Sequence, residues 1–258
     1  GTVVERAEQW DGSPGRRVGL ADPSDLPAPA EASARRRAGF LATYAFLLAA
    51  IPAIGLLPIF PAFYIFDQLS DSLSDITDID FHWYLPLLTW PTAMLMTAGT
   101  VLLIAGIRWL VLPRVSSGTY SVHSGFYLRK WAVALAAEVT LETLSSLFAT
   151  VYMRAWYRLM GARMGRGAEI STNLGSRHDL VAVGANNFIA DEVVVGEEEI
   201  RRGWMHLHPV ETGARVFVGN DGVLPPGAHI PDDVLIGIKS KPPANDKMGP
   251  GETWFGSP

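Results

Sequence analysis

A run of tandem hexads constrains the fold of this chain more than any other feature. It reads Val218-Gly219-Asn220-Asp221-Gly222-Val223, Leu224-Pro225-Pro226-Gly227-Ala228-His229, Ile230-Pro231-Asp232-Asp233-Val234-Leu235 and on into Ile236-Gly237. One hexad earlier stands Thr212-Gly213-Ala214-Arg215-Val216-Phe217. An aliphatic residue every six positions, followed by Gly or Pro, predicts a left-handed parallel β-helix with three short flat sides per coil. Inward aliphatic side chains then stack from coil to coil, and the small residue takes the corner.

Less regular hexads precede this run. Met164-Gly165 and Ile170-Ser171 are in step, as are Val183-Gly184, Ile189-Ala190 and Val195-Gly196. Ile170 to Val183 is one residue more than two hexads, and Val195 to Thr212 is one short of three. The segments Asn173–Leu180 and Glu197–Pro209 should therefore protrude, and loops on a rigid solenoid are where binding and catalysis concentrate. The β-helix is expected over residues 163–243, about four coils by the six-residue period. So short a prism is expected to associate with sibling β-helix units along its flat faces.

The upstream chain reads as membrane. Ala38 to Phe66 and Trp83 to Ile107 contain no charged residue, and a spanning helix needs ~20 apolar residues. Pro52, Pro58 and Pro61 lie in the first stretch, tolerable where neighbouring helices satisfy the freed carbonyls. Tyr64, Trp83, Tyr84 and Trp109 mark interfacial ends. Arg35, Arg36 and Arg37 precede the first span; Arg108, Arg114, Arg129 and Lys130 end or follow the second. The loop between holds Asp67, Asp71, Asp75, Asp78 and Asp80 without Lys or Arg. The positive-inside rule puts both termini and the β-helix in the cytoplasm. The competing reading is two buried core helices. Arg108 is expected to snorkel to the inner face.

Phe126 to Met160, without proline or internal glycine, predicts one long amphipathic helix along the inner membrane surface, ended by Gly161. The alternative is a helix packed on the β-helix flank. The expected organisation is linker and juxtamembrane segment 1–37, two transmembrane helices 38–113, interfacial helix 114–162, β-helix 163–243 and C-terminal linker 244–258. In short, a membrane α-helical hairpin plus a long amphipathic helix leads into a hexapeptide-repeat β-helix.

Composition narrows the chemistry. The 258 residues hold 21 basic and 26 acidic side chains, so the whole chain is no electrostatic binder of nucleic acid. There is no cysteine, which excludes disulfides, thiolate metal sites and a thiol nucleophile. The ends repeat: Glu8-Gln9-Trp10-Asp11-Gly12-Ser13-Pro14 matches Glu252-Thr253-Trp254-Phe255-Gly256-Ser257-Pro258 at five of seven positions, a period of 244. With Gly1 in place of an initiator Met, this suggests one unit of a tandem array. Asp11 to Ala34, rich in Pro, Gly, Ala and Asp, reads as linker.

The order of features resembles a known family. A membrane hairpin is followed by Tyr127-Leu128-Arg129-Lys130-Trp131, Gly161-Ala162-Arg163-Met164-Gly165 and Ala168-Glu169-Ile170-Ser171-Thr172. Then come Phe217-Val218-Gly219-Asn220, Gly237 with Pro242-Pro243, and Trp254-Phe255-Gly256-Ser257-Pro258. Together these resemble the membrane-embedded C-terminal region of ε-poly-L-lysine synthetase and its nonribosomal-peptide-synthetase-like relatives. The resemblance implies a membrane-anchored acyltransferase-like module that forms amide bonds between amino acids delivered as thioesters by a carrier domain. It implies no cofactor bound by this chain; the phosphopantetheine thioester is presented by the carrier. The other readings are a non-catalytic scaffold repeat of the array and a stand-alone coenzyme A-dependent hexapeptide acyltransferase.

Amide formation on a thioester needs an unprotonated amine, a base near it and donors for the oxyanion. By analogy with hexapeptide acyltransferases, where a loop histidine is the base, the candidates are His206 and His208, then His178. His82, His123 and His229 are set aside by their positions. His206 and His208 alternate by two, so an extended segment would face both one way. That spacing also suits a metal with His178 as third ligand, or a purely structural role; no metal is assigned. Acidic residues Asp191, Glu192, Glu197, Glu198, Glu199 and Glu211 gather near the same loops. They are either a solvated surface or, for Asp191 and Glu192 in particular, a lure for a cationic acceptor. Asn186 and Asn187, at a coil corner, either hydrogen-bond a pantetheine arm or form an asparagine ladder.

Overall fold

The computed structural model describes residues 3–12, 15–20, 28, 31–74, 85–144, 150 and 152–257. The chain divides into two compact units, one of residues 1–34, 114–128 and 147–258, the other of 35–113 and 129–146. The first unit opens on an antiparallel hairpin, β1 (Glu8–Asp11) and β2 (Arg16–Leu20). Part of the segment read as linker is thus ordered strand.

The second unit is helical. α1 (Ala34–Gly55) and α2 (Ile59–Ser74) are separated by a turn at residues 56–58, and α3 (Leu85–Val111) follows. The expected first span is therefore two helical pieces. Pro58 lies in the break, Pro61 in the first turn of α2, where no intrahelical bond is lost, and Pro52 alone inside α1. Gly99 of α3 passes close to Pro58: a Cβ there would stand 3.1 Å from the proline Cβ. The α1–α2 stretch and α3 are long and apolar enough to cross a bilayer by length and composition. Large apolar side chains including Leu41, Phe46, Phe60, Trp90 and Leu110 are exposed, unlike those of buried core helices. Arg108 does not snorkel. It is fully buried, donates from Nη1 to the Leu112 carbonyl, and lies 4.4 Å from the Trp109 ring. Asp67 and Asp71 fall on α2; Asp75, Asp78, Asp80 and His82 lie outside the described residues.

After α3 come a short strand β3 (Gly118–Ser121), then α4 (Gly125–Thr143) and α5 (Tyr152–Leu159). The long helix expected over 126–160 is thus interrupted, with a turn at Leu144 and a bend at Thr150. The two pieces do different work. Trp131 of α4 packs edge-on against Tyr44 of α1 at 4.6 Å. α5 packs on the first strands of the solenoid, with Met153, Trp156 and Tyr157 as its buried stripe. Burying that stripe over the open end of the prism explains why a helix stands there. The Tyr157 hydroxyl donates to the Thr172 carbonyl, and Thr172 Oγ1 donates to Val193 O at 2.8 Å.

The rest is a stack of parallel rungs: β4 (Arg163–Met164), β5 (Glu169–Ile170), β6 (Val181–Val183), β7 (Phe188–Ile189) and β8 (Val194–Val195). A hairpin, β9 (Glu199–Arg201) and β10 (Trp204–Leu207), interrupts it. The stack resumes with β11 (Val210–Thr212), β12 (Phe217–Val218), β13 (Val223–Leu224), β14 (His229–Ile230), β15 (Leu235–Ile236) and β16 (Thr253–Trp254). Three parallel sheets result, ordered β14-β11-β6-β4, β16-β15-β12-β7-β5 and β13-β8. The tail read as a linker is not one, because β16 pairs with β15 as a further rung.

The hexad pattern has a direct physical basis here. Ile170, Ile189, Val218 and Ile236 are aligned rung to rung and essentially unexposed. Each such side chain contributes roughly 1.5–3 kcal/mol on leaving water. The residue after the inward position must be small because coils touch there: a Cβ on Gly184 would stand 2.0 Å from the Gly213 carbonyl oxygen. The corner between the first two sheets repeats a left-handed residue at Gly167, Asn186, Arg215, Asp233 and Gly251. Successive corners are tied by Arg215 and Asp233, whose paired bonds are 2.5 and 2.7 Å.

Candidate functional site

The predicted protrusion at 197–209 is the β9–β10 hairpin, closed by Arg202 and Gly203 with φ of 49° and 79°. Two successive positive φ values are those of a type I′ turn, which matches the strand twist. β10 also pairs with β3, giving a three-stranded antiparallel sheet β3-β10-β9 with Thr119 opposite His206 and His206 opposite Glu199. Alternation along β10 separates its residues by face. Met205 and Leu207 are completely buried, whereas Trp204 and His206 are half-buried on the other side.

His206 is held by one side-chain contact, Nδ1 to Thr119 Oγ1 at 3.0 Å. Its Nε2 is buried and has no hydrogen-bond partner among the described residues. Glu199, on its other flank, is bound to Arg201 at 2.9 Å. Trp204 donates its indole N–H to Ala28 O at 2.8 Å. The sheet is anchored at the base of β3, where Val115 N donates to Asp179 Oδ2 at 2.7 Å.

The other predicted residues scatter. His178 is 1% exposed in a 3₁₀ turn, with its ring 6.0 Å from that of Tyr157. It belongs to the packed end of the solenoid, away from the β3-β10-β9 sheet that carries His206. Burial pushes the Tyr157 phenol well above its ordinary ionisation range, so it stays protonated as a donor. His208 is exposed beyond the end of β10, beside the 225–227 turn; a Cβ on Gly227 would stand 3.8 Å from its own Cβ. Among the described residues no three His, Asp or Glu side chains gather as a metal group, which removes His206, His208 and His178 as a ligand set.

Asn187 is part of the coil. It is 1% exposed, donates to Thr212 Oγ1 at 2.6 Å and Gly213 O at 2.9 Å, and accepts from Val216 N at 2.8 Å. With these bonds made, little capacity remains for a pantetheine arm. Thr212 stands among inward aliphatics because its hydroxyl receives that bond. Asn186, Asp191 and Glu192 are exposed at the two corners flanking β7. Glu211 is engaged on the outer face, 2.8 Å from Arg163 and 3.8 Å from His229. Glu198 joins Arg177 at 2.9 Å, linking the two protruding segments.

A groove of about 570 Å³ lies elsewhere, bounded by Asp11, the Pro225–Gly227 turn, Lys241, Asn245 and Trp254. It contains none of the candidate histidines. Thr119 went unnoticed in the sequence, although the Thr119/Ser121 alternation just after the second apolar stretch is the mark of a strand.

No family model matches the chain. Over its whole length it is 39% identical to delta-poly-L-ornithine synthetase of Acinetobacter baumannii, of which it spans 20%. Solved structures similar to it include maltose O-acetyltransferase from Clostridium difficile, with TM-score 0.32 and 14% identity over 58% of this chain and 91% of that one. Serine acetyltransferase of Neisseria gonorrhoeae gives TM-score 0.29 and 13% identity over 66% and 68%.

Proposed function

We propose that this chain is a membrane-anchored acyltransferase-like module of a poly-amino-acid synthetase, joining carrier-delivered amino acids by amide bonds. The observation that carries the reading is the whole-length identity to one fifth of a synthetase named for poly-ornithine. The substrate class is a cationic amino acid, lysine or ornithine. The left-handed hexapeptide β-helix is the scaffold, and the two apolar stretches span the bilayer with both termini and the β-helix in the cytoplasm.

In the reaction, the amine of the acceptor attacks the thioester carbonyl of an aminoacyl phosphopantetheine arm. A C–N bond forms and the C–S bond breaks. His206 Nε2 takes the proton released by the amine and returns it to the departing thiolate sulfur. Asp191 and Glu192, exposed beside β7, draw the cationic acceptor, and the nearby Asn186 side chain is free to meet the arm. The carrier domain supplies the arm. A sibling β-helix unit docks on the flat face where Phe188 and Phe217 stack at 5.4 Å, both well exposed.

One observation supports the tandem array that the catalytic and the scaffold readings share. Trp10 donates its indole N–H to Glu8 at 3.0 Å, and Trp254 does the same to Glu252 at 3.1 Å, so the repeated ends share a local geometry. The test is His206→Gln in the intact synthetase, with His208→Gln beside it. Loss of a general base lowers polymer formation by roughly 100-fold or more. Full activity in both variants, with normal expression, leaves the scaffold reading standing.

A further inference from the structure

We infer that Thr119 is a positioning residue that sets the tautomer of His206, so that Nδ1 carries the proton and Nε2 the lone pair. The inference about catalysis rests on the base role proposed for His206; the inference about the tautomer does not. Thr119 and His206 are 87 residues apart, and their hydroxyl and ring meet only because β3 pairs with β10 in the register that sets them opposite each other.

A threonine hydroxyl can either donate to Nδ1 or accept from it. The choice follows from the other nitrogen, which is buried with no partner among the described residues. If the hydroxyl donated, the ring proton would sit on Nε2 as an orphaned buried N–H, the costlier kind of unsatisfied group. If Nδ1–H donates to Thr119 Oγ1, only a lone pair is left without a partner, and that pair is what a base needs. Glu199, the neighbour on the opposite flank, bonds Arg201 through Oε2 and makes no hydrogen bond to His206 Nε2. Hydrogen-bond control of which ring nitrogen is protonated is a general property of histidine.

The experiment uses the full chain in lipid nanodiscs with ¹⁵N-labelled histidine. The ring nitrogen shifts of His206 are identified by their loss in His206→Gln. In the unsubstituted chain the neutral ring is expected as the Nδ1–H form. Thr119→Val keeps the shape and strand propensity and is expected to move the population toward Nε2–H, whereas Thr119→Ser restores Nδ1–H. A ring found as Nε2–H in the unsubstituted chain overturns the inference, as does a tautomer ratio indifferent to Thr119→Val in a folded protein.

The same variants in the intact synthetase separate the two layers. Thr119→Val is expected to lower kcat on the order of tenfold with KM unchanged, and Thr119→Ser to recover it. A tautomer that moves while kcat stays constant upholds the positioning of the ring and overturns the base role of His206.

Discussion

Arg177 Nη1 donates to Glu198 Oε2 at 2.9 Å, with both side chains largely shielded from water. This ion pair fastens the irregular segment after the first coil to the root of the β9–β10 hairpin. Removing either partner takes a charge-assisted bond from a largely shielded pair, at a cost of roughly 1–3 kcal/mol. Arg177→Met is expected to speed amide hydrogen exchange across Glu199–Leu207 and to expose the hairpin to trypsin at Arg201 and Arg202. Unchanged exchange in that stretch would show that the pair does not restrain the hairpin.

Gly184 tests the stacking argument. Alanine there drives its Cβ into the carbonyl of the next coil, 2.0 Å away, and the coils must part. The loss is expected at about 2–3 kcal/mol or more, at the upper end of overpacking costs. Gly19, with nothing within 4 Å of an added Cβ, is the control. The two thermal unfolding curves, in one detergent, should separate clearly.

Asn187→Ala distinguishes a coil residue from a substrate contact. Its loss orphans Val216 N in the interior and removes the amide donor to Thr212 Oγ1 and Gly213 O, worth about 1–3 kcal/mol. The expected result is a lowered melting temperature with KM for the thioester unaffected in whatever fraction stays folded. A raised KM at normal stability would return Asn187 to the binding site.

Acid should loosen the corners. The Arg215 guanidinium, by hydrogen bond and charge, holds the Asp233 carboxyl below its ordinary 3.8. Lys241 does the same for Asp11, aided by the Gly12 N–H. A depressed folded-state value means the contribution is fully present above the unfolded value and disappears as pH falls through the folded one. Little change is therefore expected above about pH 5, with weakening confined to pH below 3.8. Carboxyl-carbon NMR titration checks this: Arg215→Met should bring Asp233 back up, and an unmoved midpoint would refute the pairing.

The tail makes a final case. β16 covers the edge of β15, so removing residues 249–258 uncovers a row of unpaired backbone groups beside Ile236. Such edges recruit other chains. The shortened protein is expected to elute as larger species on size exclusion than the unshortened one under the same conditions, and identical elution would count against this role of the tail.

How much was legible follows from the range of each interaction. The inward column Ile170, Ile189, Val218, Ile236 and the clash-limited glycines are written as a six-residue period, because every coil repeats the same local geometry. The two apolar stretches were equally plain, since crossing a bilayer is a matter of length and polarity. The break between α1 and α2 and the interruption between α4 and α5 were not, because proline tolerance and helix continuity depend on what packs alongside.

The site behaved in the same way. That the 197–209 segment protrudes came from a failed count of hexads, and that it carries His206 could be read directly. That His178 is sealed under Tyr157, that Asn187 turns inward to Thr212, and that Thr119 meets His206 could not. Amino-acid order alone determined the six-residue period of the parallel rungs and the two long apolar stretches, because these rest on neighbours at fixed short spacings. Only the tertiary structure decided that His206 meets Thr119, because that contact is made by a strand pairing across 87 residues, and no local pattern encodes such a distance.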